Sequence, residues 1–346
     1  MSVLQTLGGL LRGRVTGQPV PLAMTIALTY RCNLRCRYCQ IWKEVGPELS
    51  TSQVLAAVDE LHAAGMVRLG LTGGEPLLRD DFGDIVSHAR ELGLFTTVFT
   101  NGALVPGQLP HLRQLDAVLL SLDGPREVHD AVRGRGAFDG AIEAIRLLHR
   151  ERVPVWTNTV LTSHNIDHVD FVLDTARRFG ALAAFQPIFE HSYSVSGERV
   201  EQLRAGQQRQ AEVIEQLLRH KRRGAPLLNS VPFFERILDP AWKQTPRQCL
   251  AGRYYGAVSP RGQVAPCPIL LQARDLPDGR LVGYVEAFRR CSRQIRCTGC
   301  NCIATVESDL LFSLDPRAVL NTLGHMVHRR SHQPEARTPL PTGDAP

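Results

Sequence analysis

Strand-like and helix-like segments alternate through more than half of this 346-residue chain, and no other feature constrains the fold as much. Met24–Thr29, Val67–Leu71, Phe95–Thr100, Ala117–Leu122, Val153–Val160 and Ala181–Gln186 are short runs of β-branched and apolar residues. Helix patterns separate them, among them Ser50–Leu61, with serine and threonine available as N-caps, Asp81–Leu92 and Phe138–His149. Such an alternation predicts an α/β fold in which a parallel sheet carries its helices outside. Folds of this kind gather their chemistry at the C-terminal ends of the strands. No period-repeat array is present.

The two most distinctive motifs follow the first and second expected strands. Tyr30-Arg-Cys-Asn-Leu-Arg-Cys-Arg-Tyr-Cys39 places Cys32, Cys36 and Cys39 at x3 and x2 spacing. Three thiolates can hold three irons of a cubane [4Fe–4S] cluster, whose complete set is four cysteines. The fourth iron is then open, and an open position is where a metal centre does chemistry. Three structural cysteines, or a zinc site lacking its fourth ligand, form the bland alternative. The second motif is Thr72-Gly-Gly-Glu-Pro76.

In that order and spacing the motifs resemble the radical S-adenosylmethionine superfamily, over about residues 20–190 and more loosely to about 310. The resemblance implies a partial (β/α)6 barrel. It also implies an open iron that chelates the amino and carboxylate groups of S-adenosylmethionine. One electron then cleaves the sulfonium to methionine and a 5′-deoxyadenosyl radical, which abstracts a hydrogen atom from substrate. A reducing partner such as flavodoxin or ferredoxin follows from the same likeness.

The resemblance also assigns cofactor contacts. Tyr38 falls where an aromatic ring meets the adenine. Gly73 and Gly74 permit close backbone approach. Glu75 accepts a hydrogen bond from the cofactor's amino group. Asn101, after the third strand, reaches its polar end, though Asn101-Gly102 also reads as a plain turn. Ser121 and Asp123 line its ribose and carboxylate side, with a loop cap the alternative for Asp123. Asn158 and Gln186 are expected to face the cavity. One of His129 and Arg133 is expected to bind an anionic group, with a surface salt bridge the bland alternative.

Six further cysteines lie between 249 and 302. Cys249, Gly262 and Cys267 form a C-x12-G-x4-C pattern around an expected hairpin, Tyr254–Val258 and Gln263–Ala265, with Ser259-Pro-Arg-Gly262 as its turn. The pattern resembles the opening of SPASM and twitch appendages, which hold auxiliary [4Fe–4S] clusters. Cys291, Cys297, Cys300 and Cys302 follow, and Cys297 and Cys300 have the x2 spacing that brings two thiolates to one centre. Two full clusters would need seven or eight protein ligands. The expectation is therefore one auxiliary cluster on Cys249, Cys267, Cys297 and Cys300; a second, incompletely ligated cluster using Cys291 and Cys302 is the alternative. A zinc knuckle is the rival. The expected organisation is a barrel over 1–195, a helical connector over 196–240 and a cysteine-rich appendage over 241–310. A C-terminal helix and disordered tail complete it over 311–346.

Composition narrows the function classes. No apolar run is long enough for a membrane span. The N-terminal stretch Val3–Arg14 lacks the order of a secretory signal and reads as a short helix packed on the barrel, or lying on a membrane surface. Clustered thiols in an enzyme-like chain point to a reducing cytoplasm. A net charge of +6 without a basic block argues against a nucleic acid partner. The favoured expectation is an oxidative tailoring enzyme for a small molecule, with the auxiliary cluster taking the electron. A peptide maturase is the alternative, lowered because only 31 residues precede Cys32, too few for a fused leader-binding domain. A non-catalytic electron carrier is the remote third.

Overall fold

The computed structural model describes residues 3–188, 201–244, 249–271, 273, 275–292, 297 and 300–331. Six parallel strands follow one another across a sheet: β1 (Ala23–Thr29), β2 (Arg68–Gly73), β3 (Phe95–Thr100), β4 (Ala117–Ser121), β5 (Val155–Leu161) and β6 (Leu182–Pro187). Each lies within two residues of its expected place. Consecutive pairing in chain order, with helices between, is the topology of a partial (β/α)6 barrel.

Helix α1 (Val3–Thr16) precedes the sheet; α2 (Thr51–Ala63), α3 (Phe82–Glu91) and α4 (Val105–Leu112) follow β1, β2 and β3, α5 (Arg126–Arg133) and α6 (Ala137–Arg150) both follow β4, and α7 (Val169–Arg178) follows β5. The expected cap on α2 forms as a capping box, in which Ser50 accepts from the Gln53 N–H and the Gln53 side chain accepts from the Ser50 N–H. Strand residues alternate between two environments. Met24, Ile26, Leu69, Leu71, Val98, Val118 and Leu120 are buried under the helices, whereas Thr25, Arg68, Gly70, Thr97 and Trp156 face the barrel interior.

Beyond β6 come α8 (Gln207–Arg222), α9 (Val231–Leu238) and α10 (Pro240–Gln244). The helical connector expected over 196–240 is not one helix: residues 204–206 are not helical and its long helix spans Gln207–Arg222, while residues 189–200 lie outside the described residues, as does the tail over 332–346. The expected hairpin forms as β7 (Tyr255–Val258) and β8 (Val264–Ala265), with Gly262 at φ +85° in its turn. It does not stand apart from the barrel. β7 pairs in parallel with β1, Ala23 opposite Tyr255, so the sheet has the order β6-β5-β4-β3-β2-β1-β7-β8. Helices α11 (Gly279–Val282), α12 (Tyr284–Cys291), α13 (Ile303–Phe312) and α14 (Pro316–Ser331) complete the chain. Glu60 on α2 accepts the N–H groups of Tyr284 and Val285 at 2.9 Å and so caps α12.

Helix α1 buries Leu10 and Gly13 against Tyr254, next to β7, and leaves Leu4, Leu7, Leu11 and Val15 exposed. Among the described residues no helix is long and apolar enough to cross a membrane.

The far edge of the sheet is closed by a backbone bridge between Ala183 and Leu227 and, two residues on, by a side chain. Asn229 is fully buried, and its amide accepts from the Phe185 N–H and donates to the Phe185 carbonyl, both at 2.9 Å. A paired edge removes unsatisfied backbone groups that would otherwise be buried. Asn229→Ala should therefore cost roughly 2–5 kcal/mol, since it strands two buried backbone groups. The urea midpoint of the metal-free protein measures this, and a loss below about 1 kcal/mol would show that water replaces the amide.

Candidate functional site

The Thr72–Pro76 motif meets the cysteine loop backbone to backbone. The Gly74 N–H donates to the Thr29 carbonyl and the Glu75 N–H to the Arg31 carbonyl, each at 2.8 Å. A Cβ on Gly73 would lie 2.3 Å from the Thr29 oxygen, and one on Gly74 would lie 2.2 Å from the Arg31 oxygen. Gly73 also has φ +138°. The glycines are thus required by the contact between the ends of β1 and β2. Glu48 ties the same corner, accepting from the Thr29 hydroxyl at 2.7 Å and the Tyr30 N–H at 2.9 Å. Arg79, which sequence reasoning passed over, donates to the Leu28 and Leu49 carbonyls at 3.0 Å and pairs with Asp81.

Cys32, Cys36 and Cys39 lie on the loop leaving β1, each partly exposed. The Leu34 N–H donates to the Cys32 sulfur at 3.4 Å, and the Cys39 N–H to the Cys36 carbonyl at 3.0 Å. Burial raises all three thiol pKa values, that of Cys39 to about 11. The neighbouring thiols add to the rise at Cys32 and Cys39. The metal-free thiols are thus protonated at neutral pH, and metal loading displaces those protons. Three soft sulfur donors on one loop at a strand end fit an iron–sulfur cluster. Among the described residues no three His, Cys, Asp or Glu side chains are gathered for a single metal ion.

Glu75 is fully buried and joins the ends of β2 and β3. Its Oε1 accepts from the Leu77 N–H at 3.1 Å and the Thr100 hydroxyl at 3.0 Å, and its Oε2 from the Asn101 N–H at 2.8 Å. A carboxylate offers about four acceptor sites, so one remains on Oε2. Burial pushes its pKa to about 7 despite these bonds. Asn101 caps its own turn through Ala103 and donates to Asn33, in the cysteine loop, at 2.7 Å.

A second buried group lies at the end of β4. Asp123 pairs with Arg133 at 2.6 Å, accepts from the Tyr38 hydroxyl at 3.4 Å and is wholly inaccessible. The Arg133 guanidinium lies 5.5 Å from the Tyr38 ring centroid. This pair is buried, not a surface salt bridge, and the anion that Arg133 binds here is Asp123. At Cys36, Arg133 opposes the rise that burial imposes on the thiol, while Asp123 adds to it. The Asp123 N–H donates to His129 Nδ1 at 3.1 Å, which leaves the proton on Nε2, buried and without a protein partner. Burial first, and Arg133 second, lower the His129 pKa to about 4. Ser121 pairs in register with Asn158, whose side-chain oxygen is buried and unpartnered. Gln186 does reach inward, but its Oε1 accepts the Ile303 N–H at 3.0 Å. It fastens α13 to the barrel.

The later cysteines divide. Burial raises every one of these thiols, and other cysteines add to the rise at three of them. Cys302 and Cys249 act on Cys267; Cys302, Cys267 and Cys249 act on Cys300; Cys297 acts on Cys249. Cys302 therefore shares the neighbourhood of the four expected ligands. Cys291 does not. It is fully buried in the hydrophobic core, its thiol donates to the Phe288 carbonyl at 3.2 Å, and no other cysteine acts on it.

The Radical SAM superfamily profile matches residues 26–176, the span of both strand-end motifs. This part of the chain is a radical SAM domain. Mycofactocin maturase MftC of Mycolicibacterium smegmatis is 35% identical over 188 residues, 52% of this chain and 48% of its own. PqqA peptide cyclase of Ruegeria pomeroyi is 34% identical over 171 residues, 47% of this chain and 46% of its own. The match thus spans about half the length of these curated relatives. In fold the chain is similar to Streptococcus suis SuiB bound to the precursor peptide SuiA, with TM-score 0.68, 15% identity and coverage of 83% of this chain and 69% of that one. It is also similar to anSMEcpe with bound AdoMet and a Kp18Cys peptide, with TM-score 0.60, 18% identity and coverage of 88% and 99%. The cofactors of this superfamily are a [4Fe–4S] cluster and S-adenosylmethionine.

The Glu75 environment makes stability pH-dependent with a defined sign. Its pKa is raised from 4.5 to about 7 on folding. Between those values the folded chain keeps a proton that the unfolded chain has lost. The contribution is full below pH 4.5 and falls away as pH rises through 7. Glu75→Gln in the metal-free protein should flatten this decline by on the order of 3 kcal/mol. Glu307, pushed by burial to about 7 as well, keeps its own share of the slope. Unfolding midpoints across this range test it, and an unchanged slope would mean that Glu75 stays ionised.

Proposed function

We propose that this chain is a radical S-adenosylmethionine maturase of a ribosomally made peptide. One observation carries the reading. The segment holding both strand-end motifs aligns at about one-third identity with a maturase and with a peptide cyclase, the latter placed on a peptide by its name. The small-molecule reading loses its footing for the same reason. A reducing cytoplasmic setting and an electron donor such as flavodoxin or ferredoxin belong to the proposal.

The chain's residues take the following parts in it. Cys32, Cys36 and Cys39 hold the cluster. When bound, the cluster supplies the electron that splits S-adenosylmethionine into methionine and a 5′-deoxyadenosyl radical, and that radical takes a hydrogen atom from the peptide. Glu75 offers its remaining Oε2 acceptor site to the cofactor ammonium, and a cation there favours the ionised form that burial disfavours. Tyr38, held by Asp123 and Arg133, presents its ring to the adenine, with Asn101, Ser121 and Asp123 along the polar side. Gly73 and Gly74 contribute by letting the end of β2 cross the cysteine loop closely enough to fix its direction. Cys249, Cys267, Cys297, Cys300 and Cys302 are the residues that would hold an auxiliary [4Fe–4S] cluster, which would supply an electron acceptor for the substrate.

Two measurements bear on this. Anaerobically reconstituted protein with dithionite and S-adenosylmethionine should form 5′-deoxyadenosine slowly alone and faster with a cognate precursor peptide, whose mass changes. Glu75→Ala should weaken cofactor binding roughly tenfold to a hundredfold through the lost charge-assisted hydrogen bond. Turnover of a small metabolite, with every encoded candidate peptide inert, would overturn the maturase reading. For the metal centres, two cubanes require about eight irons per chain. The triple Cys32, Cys36 and Cys39 change to Ala should leave about four, and Cys291→Ala should keep all eight because its thiol sits in the core. One tightly bound zinc with four irons would sink the auxiliary assignment.

A further inference from the structure

A cavity of about 490 Å³ lies between the inner face of the sheet and helices α13 and α14. Arg68 on β2, Phe95 and Phe99 on β3 and Trp156 on β5 line its sheet side. The Phe95 and Trp156 rings stack with centroids 6.4 Å apart, and the Arg68 guanidinium lies 5.3 Å from the Phe95 centroid. Gly70, the next inward position on β2, contributes no side chain to this space. A Cβ there would meet nothing nearer than the Thr25 hydroxyl at 3.4 Å. The backbone does not require glycine at this position, so its effect is to keep the space beside Arg68 open.

The two opposed charges at the cavity differ in what compensates them. Glu307, on α13, accepts the Ser230 N–H at 2.7 Å and lies in the fields of Lys221 and Arg236. Arg68 forms no ion pair within 4.0 Å with a described carboxylate. Asp116 offsets part of its charge through space, from beyond ion-pair distance, while one Asp116 oxygen accepts the Thr96 N–H at 2.7 Å. A guanidinium is always charged and presents five donors in a fork that matches a carboxylate. Such a group, desolvated beside aromatic rings, is an anion receptor with an apolar platform.

We propose that this cavity binds a carboxylate borne next to an aromatic or branched apolar group of the substrate. Arg68 holds the carboxylate, and Phe95, Phe99 and Trp156 hold the apolar body. The carboxylate comes from a peptide C-terminus or from an acidic side chain. The inference rests on the maturase reading only in taking that group to belong to a peptide, and binding tests it without turnover.

Calorimetric titration of the reconstituted full chain uses three probes: N-acetyl-phenylalanine, its amide, and N-acetyl-glutamyl-phenylalanine amide. At least one acid should saturate the site and bind roughly tenfold to a hundredfold more tightly than the amide of phenylalanine. Preference for the first acid assigns a C-terminus, and preference for the second an acidic side chain. Arg68→Gln should erase the difference between acid and amide, and Arg68→Lys should restore part of it. Gly70→Leu, which fills the space beside Arg68 and leaves the guanidinium in the chain, should abolish binding of every probe, and it decides the matter if Arg68→Gln fails to fold. Equal affinity for acids and amide, no saturable binding of any probe, or unaltered binding in Gly70→Leu would overturn the proposal. Unchanged peptide turnover by Arg68→Gln would sink this site and leave the maturase reading standing. Probe binding without turnover of any peptide would do the reverse.

Discussion

The close crossing of two strand ends governs the rest of the site. The Gly73–Gly74 backbone lies so near the Thr29–Arg31 backbone that neither position has room for a Cβ. Two short main-chain hydrogen bonds lock the contact. The cysteine loop therefore leaves β1 in a direction fixed by the end of β2. Glu75, the next residue, carries that constraint to β3 by bonding the Asn101 N–H and the Thr100 hydroxyl. Three strand ends are thus bound into one rigid shelf beneath the cysteines. A shelf of this kind lets a loop hold donors in place with little help from its own packing.

Electrostatics set the second constraint. A fully inaccessible Asp123 is tolerable only because Arg133 meets it at 2.6 Å and backbone and phenol groups take its other lone pairs. The same arginine lies over Tyr38 and acts on Cys36, so one buried pair orders the middle of the cysteine loop. Removing either partner would leave an uncompensated buried charge, a change typically costing about 3–5 kcal/mol.

Much of this was legible in the sequence, and the physical reasons for the gaps are specific. The six strands announce themselves through apolar runs and turn residues, and the strand-end motifs through spacing alone, because local pattern fixes both. The pairing of the hairpin with β1 was not legible. The main-chain hydrogen bond from the Ala23 N–H to the Tyr254 carbonyl joins positions far apart in sequence and carries no local signature. Arg79 was missed for a similar reason, since its partners are the carbonyls of Leu28 and Leu49. Gln186 illustrates a third limit. Its inward direction follows from strand alternation, but its partner, the N-terminus of α13, depends on tertiary placement. Spacing likewise grouped Cys291 with its neighbours, whereas a helix turns its side chain into the core.

Helix α13 connects regions that the sequence presents separately. Cys302 is its N-cap residue, Gln186 of β6 holds its first N–H, and Glu307 on it bonds the chain between α8 and α9. Ile303, Glu307 and Leu311 of the same helix line the interior cavity. A helix anchored at its first turn to both a strand end and a cysteine cannot shift at one place without shifting at the other, because packed interiors transmit displacement. The cysteine cluster and the cavity thus share a wall, and Gln186 is the joint between that wall and the barrel.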